Sequence, residues 1–412
     1  MPCVQRTIAG QISAEGQPGV IKRLIMRHYR RFAPVLDLAS MGYRRSVLSY
    51  DSFDQHNAEV KDALASELGR VLGARGTFEL WSASKRFEAE FARRCGKKHG
   101  IGVSSGTAAL QLALVAAGVG PGDEVITSAH TFIATLLAIH NTGARPVLVD
   151  PHPLDLCVRA EAIAAALSVR TRAIVPVHMH GHVAGMPEIL ALAEARGLVV
   201  IEDCAQAHGA ALGVRQVPIG ATGCFSFYAT KPLGGAGNGG MIVTDDDGLA
   251  AVAERIRDPE GDDARILSAA RTPSYLNALE AAVLAARLPR MDAWRAARAD
   301  NAQTYLRALP HLAPVVPRSE VASAWYSFVV RLADRDSVKA RLLAAGVETR
   351  VEYANHFVRS PTFAAMGWNE ADYPVAMAAA DHGLSLPVHA FLRPEERGRV
   401  IAALAGARSR RS

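Results

Sequence analysis

Lysine is scarce in this sequence. Of 46 Lys and Arg residues only seven are lysine, and one of these, Lys231, stands between an apolar run and a glycine-rich loop in FSFYATKPLGGAGNGG, residues 225–240. Where arginine carries most of the positive charge, an isolated lysine is expected for what a guanidinium cannot do. An amine can shed its proton and attack a carbonyl. The glycines follow the lysine, the reverse of the order in a nucleotide-binding P-loop, so that reading does not apply.

Three further stretches carry residue types that complement an imine-forming lysine. SSGTAAL, residues 104–110, puts Gly106, Thr107 and Ala108 at a strand-to-helix turn, where free N–H groups and the positive end of a helix dipole favour a phosphate. LVVIED ends in Asp203, a carboxylate closing an apolar strand, which needs a cationic or hydrogen-bonding partner because burying it alone costs several kcal/mol. HTFIAT offers Phe132, a flat ring at another strand end. A phosphate turn, a buried acid, a stacking ring and a lysine, with Ser226 just before that lysine, together describe the requirements of pyridoxal 5′-phosphate. The lysine forms the Schiff base, and the acid keeps the pyridine nitrogen protonated so that the ring draws electrons.

The elements around these residues are those that would position them. From about residue 99, short apolar runs (HGIGVSS, DEVITSA, RPVLVD, RAIVPVH, LVVIED) alternate with helical patterns such as TAALQLALVAAG and MPEILALAEARG. This alternation predicts an α/β fold with a mostly parallel, doubly wound sheet, whose ligands gather at the carboxyl ends of the strands. GCFSFY and GMIVTDD predict two more strands flanking the glycine loop. Beyond residue 258 long helical stretches lead to a strand, WYSFVVRL, and a last helix, PEERGRVIAALAGA, as in a smaller α+β domain. The expected division is an N-terminal extension at 1–75, a large cofactor domain at 76–258 and a C-terminal domain at 259–412.

Composition excludes other classes. The chain is 412 residues long, half hydrophobic, 21% charged and has a formal charge of +6. Its arginines are scattered rather than clustered with aromatics, which argues against nucleic acid. The mild positive balance favours an anionic small molecule. No apolar run reaches the roughly 18 residues of a membrane span, and RLIMRHYRRF, residues 23–32, reads as a solvated or subunit-facing helix. The cysteines at 3, 95, 157, 204 and 224 are widely spaced, as expected of reduced thiols in a cytoplasm. VHMHGH places His178, His180 and His182 at alternate positions, but the strand is expected to end near His178 and no carboxylate or thiol adjoins them in sequence, so no metal site is expected.

With these motifs in order, the chain resembles the DegT/DnrJ/EryC1/StrS aminotransferases. The resemblance runs over about residues 80–400, through FEAEFARRCGKKHGIGVSSGTAALQLAL, PGDEVITSAHTFIATLLAIHNTGARPVLVD, PVHMHGHVAGMPEI, VVIEDCAQAHGA and FSFYATKPLGGAGNGGMIVT, and more weakly to LSLPVHAFL. It implies a fold-type I pyridoxal-phosphate enzyme, a homodimer with shared active sites. Such an enzyme moves an amino group from glutamate or glutamine to a keto-sugar (nucleotide-linked, free or phosphorylated) or keto-cyclitol, by ping-pong, in amino-sugar or antibiotic biosynthesis. It also implies roles. Lys231 is the Schiff-base lysine, and Asp203 the partner of the pyridine nitrogen. Gln206 sits beside the ring hydroxyl, while Gly106, Thr107, Ala108 and Ser226 hold the phosphate and Phe132 stacks on the ring. Arg350 and His356, in ETRVEYANHF, would line the acceptor pocket.

The sequence departs from the family in three places. Pro232 follows the lysine where many relatives have asparagine. Pro273 and Tyr275 stand where relatives carry an asparagine and an arginine for cross-subunit contacts, with Arg271 the candidate substitute. The N-terminal extension is longer than usual. Two alternatives use the same fold: a deoxysugar dehydratase, which carries histidine in place of the lysine, and a non-catalytic regulator, which would not need the full residue set.

Overall fold

The protein is described here by a computed structural model that covers residues 47–258, 274–354, 356–405 and 407. Residues 1–46, Arg271 and Pro273 lie outside the described residues, and so does the basic stretch 23–32.

Helices α1 (Phe53–Glu59), α2 (Lys61–Leu72) and α3 (Thr77–Arg94) precede the sheet. The first half of the α/β core then runs β1 (His99–Val103), α4 (Gly106–Ala116), β2 (Glu124–Ser128), α5 (Ile133–Asn141), β3 (Arg145–Val149), α6 (Ala160–Ala165) and β4 (Thr171–Val175). It continues with α7 (Met186–Arg196), β5 (Val199–Asp203), a small hairpin of β6 (Ala211–Leu212) and β7 (Arg215–Gln216), then β8 (Thr222–Ser226), β9 (Gly240–Thr244) and α8 (Asp247–Arg257). The expected strands are present.

Seven strands form one sheet in the order β1-β9-β8-β5-β4-β2-β3. Strand β9 pairs antiparallel with both β1 and β8, and the remaining pairs are parallel. The near-continuous apolar runs follow from cover on both faces. Successive residues enter opposite cores: Val125, Ala173, Cys224 and Ile242 pack on the side of α4 and α8, while Ile126, Ile174, Phe225 and Met241 pack with Phe87 and Phe91 of α3.

After residue 274 the chain forms α9 (Ala278–Arg287) and α10 (Met291–Ala308), joined by a turn of 3-10 helix at Leu288–Arg290. Next come β10 (Val321–Ala322), β11 (Phe328–Arg331), α11 (Arg335–Ala344), α12 (Pro374–His382), β12 (Gly383–Leu386) and α13 (Pro394–Ala403). Strands β11 and β12 pair antiparallel over a separate apolar core that includes Tyr305 of α10, Leu342 of α11 and Val400 of α13. Helix α9 packs on α2 and α3.

This topology decides where chemistry can occur. Strands β1, β2, β5 and β8 point the same way, so the turn at Gly106, the start of α5 at Phe132, Asp203 and Ser226 all lie at one edge of the sheet. The loop from β8 to β9 carries Lys231 over the same edge.

Candidate active site

A cavity of about 750 Å³ opens at that edge. Gly106, Thr107, Phe132, Asp203, Gln206, Ser226 and Lys231 all line it, with Thr135, Tyr326, Glu352, Tyr353 and Phe357. These residues come from segments far apart in the chain, and the sheet edge brings them together.

Asp203 closes β5 and is almost fully buried. Its carboxylate accepts hydrogen bonds from Thr135 Oγ1 at 2.8 Å and from the Ala205 amide at 3.1 Å. Burial pushes its pKa up, against those two bonds and the positive charge of Lys231. A carboxylate held this way at a cavity wall lacks a strong cationic partner, which a protonated ring nitrogen would supply.

Lys231 is half-buried, and its Nζ lies 4.9 Å from the centre of the Tyr326 ring. Among the described residues no carboxylate pairs with it and no acceptor takes a hydrogen bond from it. Phe132 is 54% exposed, unusual for a large apolar side chain at a helix start, and its ring lies 6.1 Å from that of Tyr353 across the cavity mouth. Gln206 Oε1 accepts from the His180 amide at 2.7 Å, while its Nε2 donates to Tyr353 Oη at 2.8 Å. One Nε2 proton remains for a ligand.

At the start of α4, Ser105 caps the helix by accepting the Ala108 amide at 3.1 Å. The Ala108 N–H is therefore engaged, and Ala108 does not line the cavity. The free donors of this turn are the amides of Gly106 and Thr107, beside Ser226 Oγ. A Cβ on Gly106 would stand 2.7 Å from Ser226 Cβ, so only glycine lets the helix start approach β8 this closely. The phosphate turn, the ring, the acid and the amine match the groups of pyridoxal 5′-phosphate one for one. Gly106→Ala should keep the fold and weaken cofactor affinity by about tenfold or more, as the two amides swing off the phosphate; equilibrium titration of cofactor-free protein checks this.

Arg350 and His356 do not reach the cavity wall, although Val351, Glu352, Tyr353, Ala354 and Phe357 do. Arg350 forms an ion pair with Asp51, its guanidinium lying 4.5 Å over the Tyr50 ring. His356 is buried against Phe357, ring centres 4.4 Å apart, and its Nδ1 accepts the Val358 amide. Sequence reasoning missed Thr135, Tyr326, Glu352 and Tyr353. Thr135 lies one helical turn from Phe132, a spacing that could have flagged it; the others come from a segment whose pattern says nothing about the sheet edge. Glu352 is half-buried in the cavity wall, and loss of solvent pushes its carboxyl pKa up.

The three alternating histidines do not share a face. Strand β4 ends at Val175, and His180 takes φ +57° within a 3-10 turn. His178 instead donates from Nε2 to Glu202 at 2.8 Å and accepts the Ala184 amide at Nδ1, while Glu202 also accepts from Ile219 and Gly220. Cys204 completes a close trio with them. The imidazole and carboxylate of that trio are already occupied in joining β5 to its neighbouring loops.

Comparison with known proteins gives the family and the fold. The family model of the DegT/DnrJ/EryC1/StrS aminotransferase family matches residues 60–405. The dTDP-3-amino-3,4,6-trideoxy-alpha-D-glucose transaminase of Streptomyces venezuelae is 38% identical over 357 residues, covering 86% of this chain and 93% of that protein. A pleiotropic regulatory protein of Geobacillus stearothermophilus is also 38% identical over 357 residues, covering 84% and 96%. The crystal structure of S. venezuelae DesV in complex with a ketimine intermediate superposes with a TM-score of 0.82 at 36% identity, over 87% of this chain and 97% of that one. The chain belongs to the DegT/DnrJ/EryC1/StrS aminotransferase family, and it is an aminotransferase that uses pyridoxal 5′-phosphate.

Proposed function

We propose that this protein transfers an amino group from glutamate or glutamine to a ketone on a sugar or cyclitol, in the synthesis of amino sugars or antibiotics. The observation that carries this reading is the cavity of about 750 Å³, large enough for a cofactor and a sugar together, with Lys231 and Asp203 on one wall. The named relatives favour a nucleotide-linked sugar. One is the Streptomyces transaminase above; another, 37% identical, is the UDP-N-acetyl-3-dehydro-alpha-D-glucosamine 3-aminotransferase of Acidithiobacillus ferrooxidans.

The bound cofactor supplies an electron-withdrawing ring that stabilises negative charge on the carbon losing its proton. The protein supplies the rest. Asp203, kept in place by Thr135 and the Ala205 amide, would hold the proton of the ring nitrogen. Phe132 and Gln206 would bear on the ring, and Gly106, Thr107 and Ser226, which line the same cavity, would hold the phosphate. The Lys231 amine would take up and return the substrate's proton, with Tyr326 and Tyr353 lining the cavity beside it.

The protein is further proposed to act in the cytoplasm as a homodimer. Buried free cysteines at 95, 157, 204 and 224 suit a reducing compartment. Exposed Leu72 and Phe78, 68% and 86% accessible, suit a covered face. Among the described residues no helix is long and apolar enough to cross a membrane.

The test is the acceptor half-reaction. Enzyme carrying pyridoxamine phosphate is mixed with a panel of keto-sugars and keto-cyclitols, with and without a nucleotide, and return of absorbance near about 420 nm is followed. Return with a nucleotide-linked keto-sugar supports the reading. Return only with simple 2-oxo acids would overturn it.

A further inference from the structure

A second, smaller cavity of about 110 Å³ adjoins the first, and Thr230, Lys231 and Tyr326 line both. Its outer wall is built by the segment from Tyr50 to His56, by Arg298 of α10 and by His389. Arg298 is the unusual member. It is 6% exposed, yet among the described residues its guanidinium forms no ion pair and no hydrogen bond. The one carboxylate on this wall, Asp51, is already engaged by Arg350. His56 Nε2 and His389 Nδ1 are likewise buried without a partner. Burial and the nearby Arg298 charge push both histidines down, to about 3 and about 4, so they stand as neutral imidazoles at physiological pH. A buried, unpaired guanidinium is costly unless an anion meets it.

The two cavities differ in charge as they do in size. The larger carries the carboxyls of Asp203 and Glu352 and, among the described residues, no cation besides Lys231. The smaller carries Arg298, whose charge feels Asp51 and the Tyr50 and Tyr326 hydroxyls at a distance but is paired with none of them, in a wall shared with Lys231 and Tyr326.

We propose that Arg298 and the small cavity bind the α-carboxylate of the amino donor, so that the donor's amine lies at Lys231 while the larger cavity stays free for the acceptor. This rests on the aminotransferase reading above and adds to it a separate subsite for the amino acid. Arg298 grips the carboxylate through its two terminal nitrogens, as planar guanidinium–carboxylate pairs do. His56 donates its Nδ1 proton to the Ser52 carbonyl, so as neutral rings the histidines add no charge and Arg298 is the group that meets the carboxylate. A nucleotide diphosphate does not fit in about 110 Å³, whereas a carboxylate with its α-carbon does.

The test uses holoenzyme, wild type against Arg298→Gln and Arg298→Lys. Single-turnover loss of the band near about 420 nm is measured with L-glutamate, L-glutamine and n-butylamine, which has an amine and no carboxylate. Arg298→Gln should lower the rate constant per unit concentration for both amino acids by about 100-fold and leave butylamine within about threefold. Arg298→Lys, which keeps charge and loses the fork, should fall about tenfold. Independently of turnover, glutarate should raise the melting temperature of wild type and leave Arg298→Gln unmoved. Equal loss for butylamine and the amino acids, no loss at all, or equal glutarate shifts in both proteins would each overturn the proposal. If wild type forms the band but reacts with neither amino acid, the donor assignment fails while the glutarate shift still decides the anion site.

Discussion

Lys231→Ala yields a folded protein that binds pyridoxal phosphate without a covalent link and has lost at least about 10⁴-fold in turnover. The fold survives because the Lys231 amine supports nothing structural. It takes part in no ion pair or side-chain hydrogen bond among the described residues, and it lies 4.9 Å from the centre of the Tyr326 ring. Chemistry should fail because, in the proposed function, the same amine both tethers the aldehyde and carries protons, and no other described lysine lines either cavity. Two measurements check this. The band near about 420 nm disappears, and borohydride, which fixes the label in wild type, labels nothing in the variant. Added methylamine should restore part of the rate, since a small amine fits the vacated space beside Tyr326. A variant that keeps the band, or a label found on another side chain, refutes the assignment.

Asp203→Asn is expected to separate activity from stability. Asparagine has nearly the same shape and can still meet Thr135 and the Ala205 amide, but it cannot hold a proton on the ring nitrogen. Turnover should fall by about 10³-fold, the scale set by leaving a buried charge without its partner. Stability of the cofactor-free protein should move the other way. Burial raises the folded-state pKa of Asp203, so the folded protein holds its proton more tightly than the unfolded chain. Stability therefore falls as pH rises from the unfolded pKa through the folded one, and the whole cost is present above both. At neutral pH cofactor-free Asp203→Asn should melt at or above wild type, and the difference should vanish on acidification below about 4, where both states of Asp203 are protonated. Calorimetry of cofactor-free protein across that range checks it. A variant less stable at neutral pH would mean that Asp203 acts mainly as a structural cap of its loop.

Residues whose role depends on local pattern were legible from the start. Alternation of apolar runs with helical periodicity set the parallel strands, because that signal needs only a few neighbouring residues. Strand termini then marked Gly106, Asp203 and Ser226, and the scarcity of lysine marked Lys231. What pattern could not convey is pairing across the chain. Nothing near Gly240 says that β9 inserts between β1 and β8 and runs against both, or that its first residue abuts the carbonyl of Ser105.

The same limit explains Arg350. Its place in ETRVEYANHF suggested a pocket cation, but its charge is taken by Asp51, 299 residues earlier. The SSGTAAL pattern puts Ala108 in the phosphate turn, but its amide is engaged by the Ser105 cap. Arg298 passed unnoticed among scattered arginines, because a free guanidinium is visible only once every nearby carboxylate has been matched to its partner. Sequence alone thus determined the scaffold and marked the candidate reactive groups, since both follow from residue type and short-range order. Tertiary structure alone decided which charges are cancelled and which are left over, because that depends on partners brought together by burial across hundreds of residues.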